Sequence, residues 1–174
     1  MGFVNAHFIA YTGDLGATTL EGAYALATVG IAGLAGGLGF GILADRYGRR
    51  PLLALAYGMR ALGYVVLLMA TGLPMAILGI VIIGSSWTSV ISLTGTVASD
   101  AYGLRRLGTI YGTMFMVMSF GASSSVWLAG QIYDSRGSYT LAMWLSLGMG
   151  LLAATAVAMP STGIAKRIWP TFAR

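Results

Sequence analysis

Gly41-Ile42-Leu43-Ala44-Asp45-Arg46-Tyr47-Gly48-Arg49-Arg50-Pro51 is a short charged hinge set between two long apolar runs. Residues 23–44 carry no charge, and neither do residues 51–59. Asp45, Arg46, Arg49 and Arg50 stand between them. Charge confined between two segments of hydrocarbon length predicts a tight loop at a membrane surface. Short loops rich in Lys and Arg stay cytoplasmic, so the arginines predict which surface that is. Gly41 closes one run without a side chain, which lets helices approach closely. Gly48 can take the positive φ that a two-residue turn between antiparallel helices requires. Pro51 suits a first helical turn, where its missing N–H is no loss. Asp45 is expected to accept hydrogen bonds from a helix N-terminus or to pair with an arginine.

Composition points the same way. Of 174 residues, 57% are hydrophobic and only 9% charged, with a mean hydropathy of +0.80. A soluble domain carries roughly 25% charged residues, so the chain reads as an integral membrane protein. The net charge of +5 would suggest nucleic acid in a soluble protein. Here the arginines gather at span ends, and orientation accounts for them without nucleic acid. Cysteine is absent, which excludes a disulfide framework and a thiolate metal site. With one histidine and five acids, no metal and no cofactor is expected. No basic segment opens the chain, so no cleavable signal peptide is expected.

The apolar runs predict helices at about 1–12, 19–43, 51–71, 75–98, 107–130 and 139–159, followed by a basic cytoplasmic tail at 160–174. The first is about half of the roughly 20 residues a span needs, and reads as the tail of a helix whose beginning lies elsewhere. Thr18 or Thr19 can cap the second, with Glu21 in its first turn. Gly33, Gly37 and Gly41 are spaced by four along it, a face that fits equally a sliding contact or tight static packing. Thr71-Gly72-Leu73-Pro74 breaks the long uncharged run between Ala61 and Ser99. Loop alternation puts Arg46, Arg49, Arg50, Arg105, Arg106, Lys166, Arg167 and Arg174 on one side, and Asp14, Glu21, Asp134 and Arg136 on the other. That bias makes the first side cytoplasmic.

The hinge resembles the G-x-L-A-D-R-x-G-R-R-x-L loop of the major facilitator superfamily, through Gly41, Leu43, Ala44, Asp45, Arg46, Gly48, Arg49, Arg50 and Leu52. That loop joins the second and third helices of each six-helix half. The resemblance covers nearly the whole chain. It implies an all-α membrane protein, one six-transmembrane-helix half of that fold, with the first helix truncated. Gly130 to Tyr139 and His7 to Gly16 resemble segments of monocarboxylate-transporter-like (oxalate/formate antiporter-like) members, which implies the C-terminal half, helices seven to twelve. Two positions depart from that pattern. Gly37 stands where many such members have a substrate-pairing arginine, and Ser125-Val126 replaces a Gly-Pro pair in the eleventh helix. The first departure leaves a carboxylate without that cationic partner.

Within this resemblance the first and fourth helices would line the central cavity. His7 could bind a carboxylate or relay a proton, or could be a histidine bonded within the bundle. Tyr11, one turn on, could add a hydroxyl. Ser85, Ser89, Ser92 and Thr96 share one helical face near Trp87. Their hydroxyls fit a solute site or backbone bonding equally. Arg60, about 13 Å along its helix from Pro51, is the one charge inside a span, and reads first as an arginine snorkelling to the near surface. Trp127, Trp144 and Trp169 fit an interfacial belt. The absence of a Ser-His-Asp set or phosphate loop argues against an enzyme, and the absence of a charged ring against a channel.

The sequence therefore predicts half of a secondary active transporter, a symporter or antiporter moving a small organic solute. A carboxylate travelling with protons fits best, by alternating access with an N-terminal six-helix half. The place would be a bacterial inner (cell) membrane, with the C-terminus cytoplasmic. The alternative is a truncated or scaffold-like membrane module without transport of its own.

Overall fold

The structure, a computed structural model, describes residues 2–159. The tail expected at 160–174, with Lys166, Arg167, Trp169 and Arg174, lies outside the described residues. Among the described residues every regular element is helical: α1 Gly2–Asp14, α2 Thr19–Tyr47, α3 Arg49–Leu68, α4 Leu73–Tyr102, α5 Leu107–Arg136 and α6 Thr140–Ala158, with a single 3-10 turn at Leu104–Arg106. Among the described residues, α2, α3, α4 and α6 are long and apolar enough to cross a membrane. α1 has 13 residues, and α5, though long, carries too many polar groups to join that set.

Three helices overrun their expected ends, whereas α3 stops at Leu68, short of its own. α2 continues through Asp45 and Arg46 to Tyr47, α4 reaches Tyr102, and α5 passes through the expected turn as far as Arg136. Charge marks where the hydrocarbon stops, not where the backbone stops coiling. The hinge is accordingly an elbow at one residue. Gly48, with φ 93° and ψ 149°, ends α2 by donating its N–H to the Ala44 carbonyl, and α3 starts at the next residue. Pro51 sits in the first turn of α3, as its missing N–H allows. At the other end Thr18 caps α2. Its hydroxyl accepts the Glu21 N–H at 3.3 Å, and the Glu21 carboxylate accepts the Thr18 N–H at 2.8 Å, a capping box.

α4 is the central element. α2 and α3 pack on it, α6 covers the far side of α3, and α1 lies against α2 and α5. The closest approach is between α2 and α4. A Cβ at Gly36 would overlap the Ser85 carbonyl, and Cβ atoms at Gly33 and Gly37 would meet Thr88 at 3.2 Å. The expected stripe of Gly33, Gly37 and Gly41 holds at Gly33 and Gly37 and is corrected at Gly41. Gly41 faces open space among the described residues, and Gly36, off the four-residue spacing, is the tightest point. At 3.6 residues per turn each four-residue step drifts by about 40° around the helix, so the row rotates off a contact face that Phe40 and Ala44 continue, in one buried cluster with Val90 and Leu93 of α4.

Two apolar clusters fill the bundle. One holds Phe3, Phe8, Ala61, Tyr64, Leu67, Ile80, Ile83 and Met143 among others. The second holds Phe40, Ala44, Leu52, Leu53, Ala56, Val90 and Leu93. Along α3 they part between Ala56 and Ala61, and along α4 between Ile83 and Val90. α5 buries only Ala129. Trp127 and Trp144 are exposed.

Candidate functional site

The two ends of the bundle are chemically distinct. At one end the Arg49 guanidinium donates to the Asp100 carboxylate at 2.6 Å, joining the start of α3 to the end of α4. Arg50 donates its Nε–H to the Val157 carbonyl at 2.8 Å and a second N–H to the Met159 carbonyl, capping the end of α6. Arg46 lies over the Tyr47 ring at 5.7 Å. The hinge and the Asp100–Arg106 segment therefore share one end, as loop alternation requires. At the other end Tyr133 donates to the Asp14 carboxylate at 3.0 Å. Asp45 was expected to accept hydrogen bonds from a helix N-terminus or to pair with an arginine. Among the described residues it accepts no such hydrogen bond, has no arginine partner and stays exposed. Asp100 takes that role, because α4 runs a turn beyond its expected end and brings Asp100 beside Arg49.

His7 is half-buried on α1, between α5 and the start of α6. Its Nε2 stands 3.0 Å from the Val126 carbonyl, and its Nδ1 stands 3.2 Å from the Tyr139 hydroxyl. A carbonyl only accepts, so Nε2 carries the proton and Nδ1 of the neutral ring accepts from the phenol. Tyr139 also stacks on Tyr133, with ring centroids 4.3 Å apart. Burial first, then Tyr133 and the carboxylates Asp14 and Asp134, push the Tyr139 phenol above its ordinary value of 10.0. It stays protonated at physiological pH, able to donate or accept. Tyr11 donates its hydroxyl to the Leu67 carbonyl at 2.7 Å, at the end of α3. A cavity of about 430 Å³ opens beside these groups, lined by Tyr11, Asp14, Leu67, Ser138, Tyr139 and Met143.

The hydroxyl face of α4 turns inward on its own backbone. Ser85 bonds the Ile82 carbonyl at 2.8 Å, Ser89 the Ser85 carbonyl at 3.3 Å and Ser92 the Thr88 carbonyl at 3.1 Å. Thr96 bonds the Leu93 carbonyl at 3.0 Å. Such back-bonding satisfies a hydroxyl in an apolar setting without a ligand. Ser89 is buried, Ser85 half-buried and Ser92 exposed. Ser92 and Thr96 border a groove of about 480 Å³ between α4 and α5, beside Tyr111.

Arg60 corrects an expectation. It does not snorkel to the charged end. Its guanidinium lies between two rings, with Cζ 5.8 Å from the Tyr57 centroid and 5.5 Å from the Trp87 centroid. Its Nε and Nη2 are buried, with no acceptor among the described residues. Two ring faces offer a cation about 0.5–2 kcal/mol each. The penalty for a buried ion is several kcal/mol, so the cage offsets part of it only.

The structure thus assembles two groups. His7 and Tyr11 stand with Tyr139 and Tyr133 near the Asp14 end. Trp87 stands with Arg60 and Tyr57 at mid-depth, beside the serines of α4. Tyr139, Tyr57 and Asp100 were not singled out from sequence. Tyr57 was findable, one helical turn before Arg60. Tyr139, on a distant stretch of chain, gave no local signal. Among the described residues no group of histidines and acids could hold a metal ion.

A helical, multi-pass membrane architecture with a charged elbow defines the class. Residues 1–166 match the family model of the Major Facilitator Superfamily, and the chain belongs to that family. It is 28% identical over 153 residues to the uncharacterized MFS-type transporter YcxA of Bacillus subtilis, covering 81% of this chain and 36% of the relative. It is 27% identical over 118 residues to a triacylglyceride transporter of Mycobacteroides abscessus, covering 65% of this chain and 22% of the relative. The chain therefore spans about a third or less of the length of these curated relatives. Relatives named as transporters support a role in transport.

Proposed function

We propose that this chain is the C-terminal half of a secondary active transporter that moves a small organic carboxylate with protons by alternating access. The elbow end would face the cytoplasm, with the C-terminus on that side of an inner membrane. The observation that carries the reading is the family match joined to the elbow. Arg49 and Arg50 bind α3 to α4 and α6 at the elbow end, which supports a half that moves as one rigid body when the two halves rock. α5, with only Ala129 buried, leaves a long face for a second six-helix half. Resemblance of Gly130 to Tyr139 to oxalate/formate antiporter-like proteins supports the carboxylate.

Protons fit the geometry at His7. A protonated imidazole donates from both nitrogens. Tyr139 can turn its hydroxyl to accept, so His7 gains a proton without losing a hydrogen bond. Uptake by the full-length protein in proteoliposomes, with radiolabelled carboxylates at pH 5.5 and 7.5, tests the reading. His7→Gln is expected to keep one or both contacts yet flatten the pH dependence. Uptake that responds to pH equally in wild type and His7→Gln would remove His7 from proton coupling. Absence of uptake for every carboxylate would refute the substrate class.

A further inference from the structure

Leu53, Ala56, Arg60, Gly63 and Leu67 follow one another at three- and four-residue steps along α3, and Tyr64 stands four residues past Arg60, the spacing of a single helix face. Every member but Arg60 is a buried small, apolar or aromatic residue. Arg60 therefore occupies a core position, where the two apolar clusters part, opposite Trp87 in the matching gap of α4. Buried charges are ordinarily paired. Asp100, the one acid on α3 or α4, is engaged with Arg49 at the elbow. The two buried donors lacking an acceptor are Nε and Nη2. These are the adjacent, parallel N–H groups of a guanidinium, the edge that grips a carboxylate with two hydrogen bonds. The rings of Tyr57 and Trp87 offer their faces to the cation but no acceptor in its plane. Both rings are only half-buried.

We propose that Arg60, caged by Tyr57 and Trp87 at mid-depth, is a binding site for a small organic anion, gripped through its carboxylate by Nε and Nη2. This deepens the transport reading and rests on it, by naming a group that would meet the solute. It also supplies a cation where Gly37 leaves none. Depth selects the source of the anion. Arg60 lies about 16 Å beyond Arg49 at 1.5 Å per residue, near the middle of a hydrocarbon core about 30 Å thick. A lipid headgroup is held at the surface, so the ligand is a freely diffusing carboxylate.

The test uses the full-length protein in nanodiscs and reads its thermal unfolding midpoint. Sodium acetate, lactate and oxalate are titrated against sodium chloride at matched ionic strength. At least one carboxylate is expected to raise the midpoint saturably in wild type. Arg60→Met should fold with an unchanged or higher midpoint, because it removes an orphaned charge, and should lose the ligand shift. Arg60→Lys should bind at least tenfold more weakly, since an ammonium lacks the fork. A carboxylate shift that persists in Arg60→Met, or none in wild type, overturns the proposal. So does a shift that depends on Arg60 but appears only on exchanging phosphatidylcholine for phosphatidylglycerol, which would assign the site to lipid. Uptake measured in parallel separates the two readings. Arg60-dependent binding without uptake strikes the transport reading alone, and uptake without Arg60-dependent binding strikes this one alone.

Discussion

Replacing Gly36 by alanine tests the packing at its tightest point. The added Cβ would overlap the Ser85 carbonyl and stand 2.7 Å from the Ser85 Cα. Carbon atoms rest at about 3.5–4.0 Å, so α2 and α4 must part by at least about 0.8–1.3 Å along that line, and by more to clear the carbonyl oxygen, which stands closer still. Both partners there are backbone, and no side chain can swing aside. Overpacking of this kind costs about 1–3 kcal/mol. Gly39, three residues on, faces open space among the described residues. Alanine there meets nothing among the described residues and gains up to about 1 kcal/mol of helix propensity. The two substitutions add the same methyl to the same helix and should move stability in opposite directions. The assay is reversible unfolding of the full-length protein in detergent micelles, Gly36→Ala beside Gly39→Ala. Equal midpoints for the two variants would refute the close α2–α4 contact.

Asp100→Asn removes the partner of Arg49. The side chains are 41% and 55% exposed, so the loss should stay below about 1 kcal/mol and vanish at high salt, as unfolding midpoints at two ionic strengths will show. Thr18→Ala removes the capping box and should cost about 1 kcal/mol, seen as faster hydrogen exchange confined to the first turn of α2. Tyr139 titrates above its ordinary value in the folded state. The stability it contributes is complete below about pH 10 and is lost as pH rises from there through the higher folded-state value. Unfolding followed between pH 9 and 11 should therefore show a shallower alkaline decline for Tyr139→Phe than for wild type.

The elbow was legible because its signals are local. Gly48, Pro51 and the flanking arginines each constrain a backbone position or a depth in the membrane. The long apolar helices were legible from hydropathy. Their ends were not, because Asp45, Arg46 and Gln131 coil as readily as apolar residues once outside hydrocarbon. The serines of α4 show why a shared face is not a site. Helical spacing fixes where Ser85 and Ser89 stand, but not whether their hydroxyls reach outward or fold back onto the preceding turn. His7 was visible as the lone histidine, yet its partner Tyr139 lies on another helix junction, a pairing that only the folded chain reveals. Arg60 was visible as a charge within a span. Its direction depended on Tyr57 and Trp87, and the latter arrives from a different helix.

The caged arginine bears on how the polypeptide enters the bilayer during synthesis. A lone helix with an arginine at its centre loses about 2.5–3.5 kcal/mol on leaving the translocon, and α3 also begins with Arg49 and Arg50. The indole that shields this charge belongs to α4, which emerges later from the ribosome. A Cβ at Gly63 would come within 2.9 Å of the Gly79 carbonyl, so the two segments are shaped to lie side by side with nothing between them. α3 and α4 are thereby suited to insertion as one helical hairpin, the later segment chaperoning the earlier.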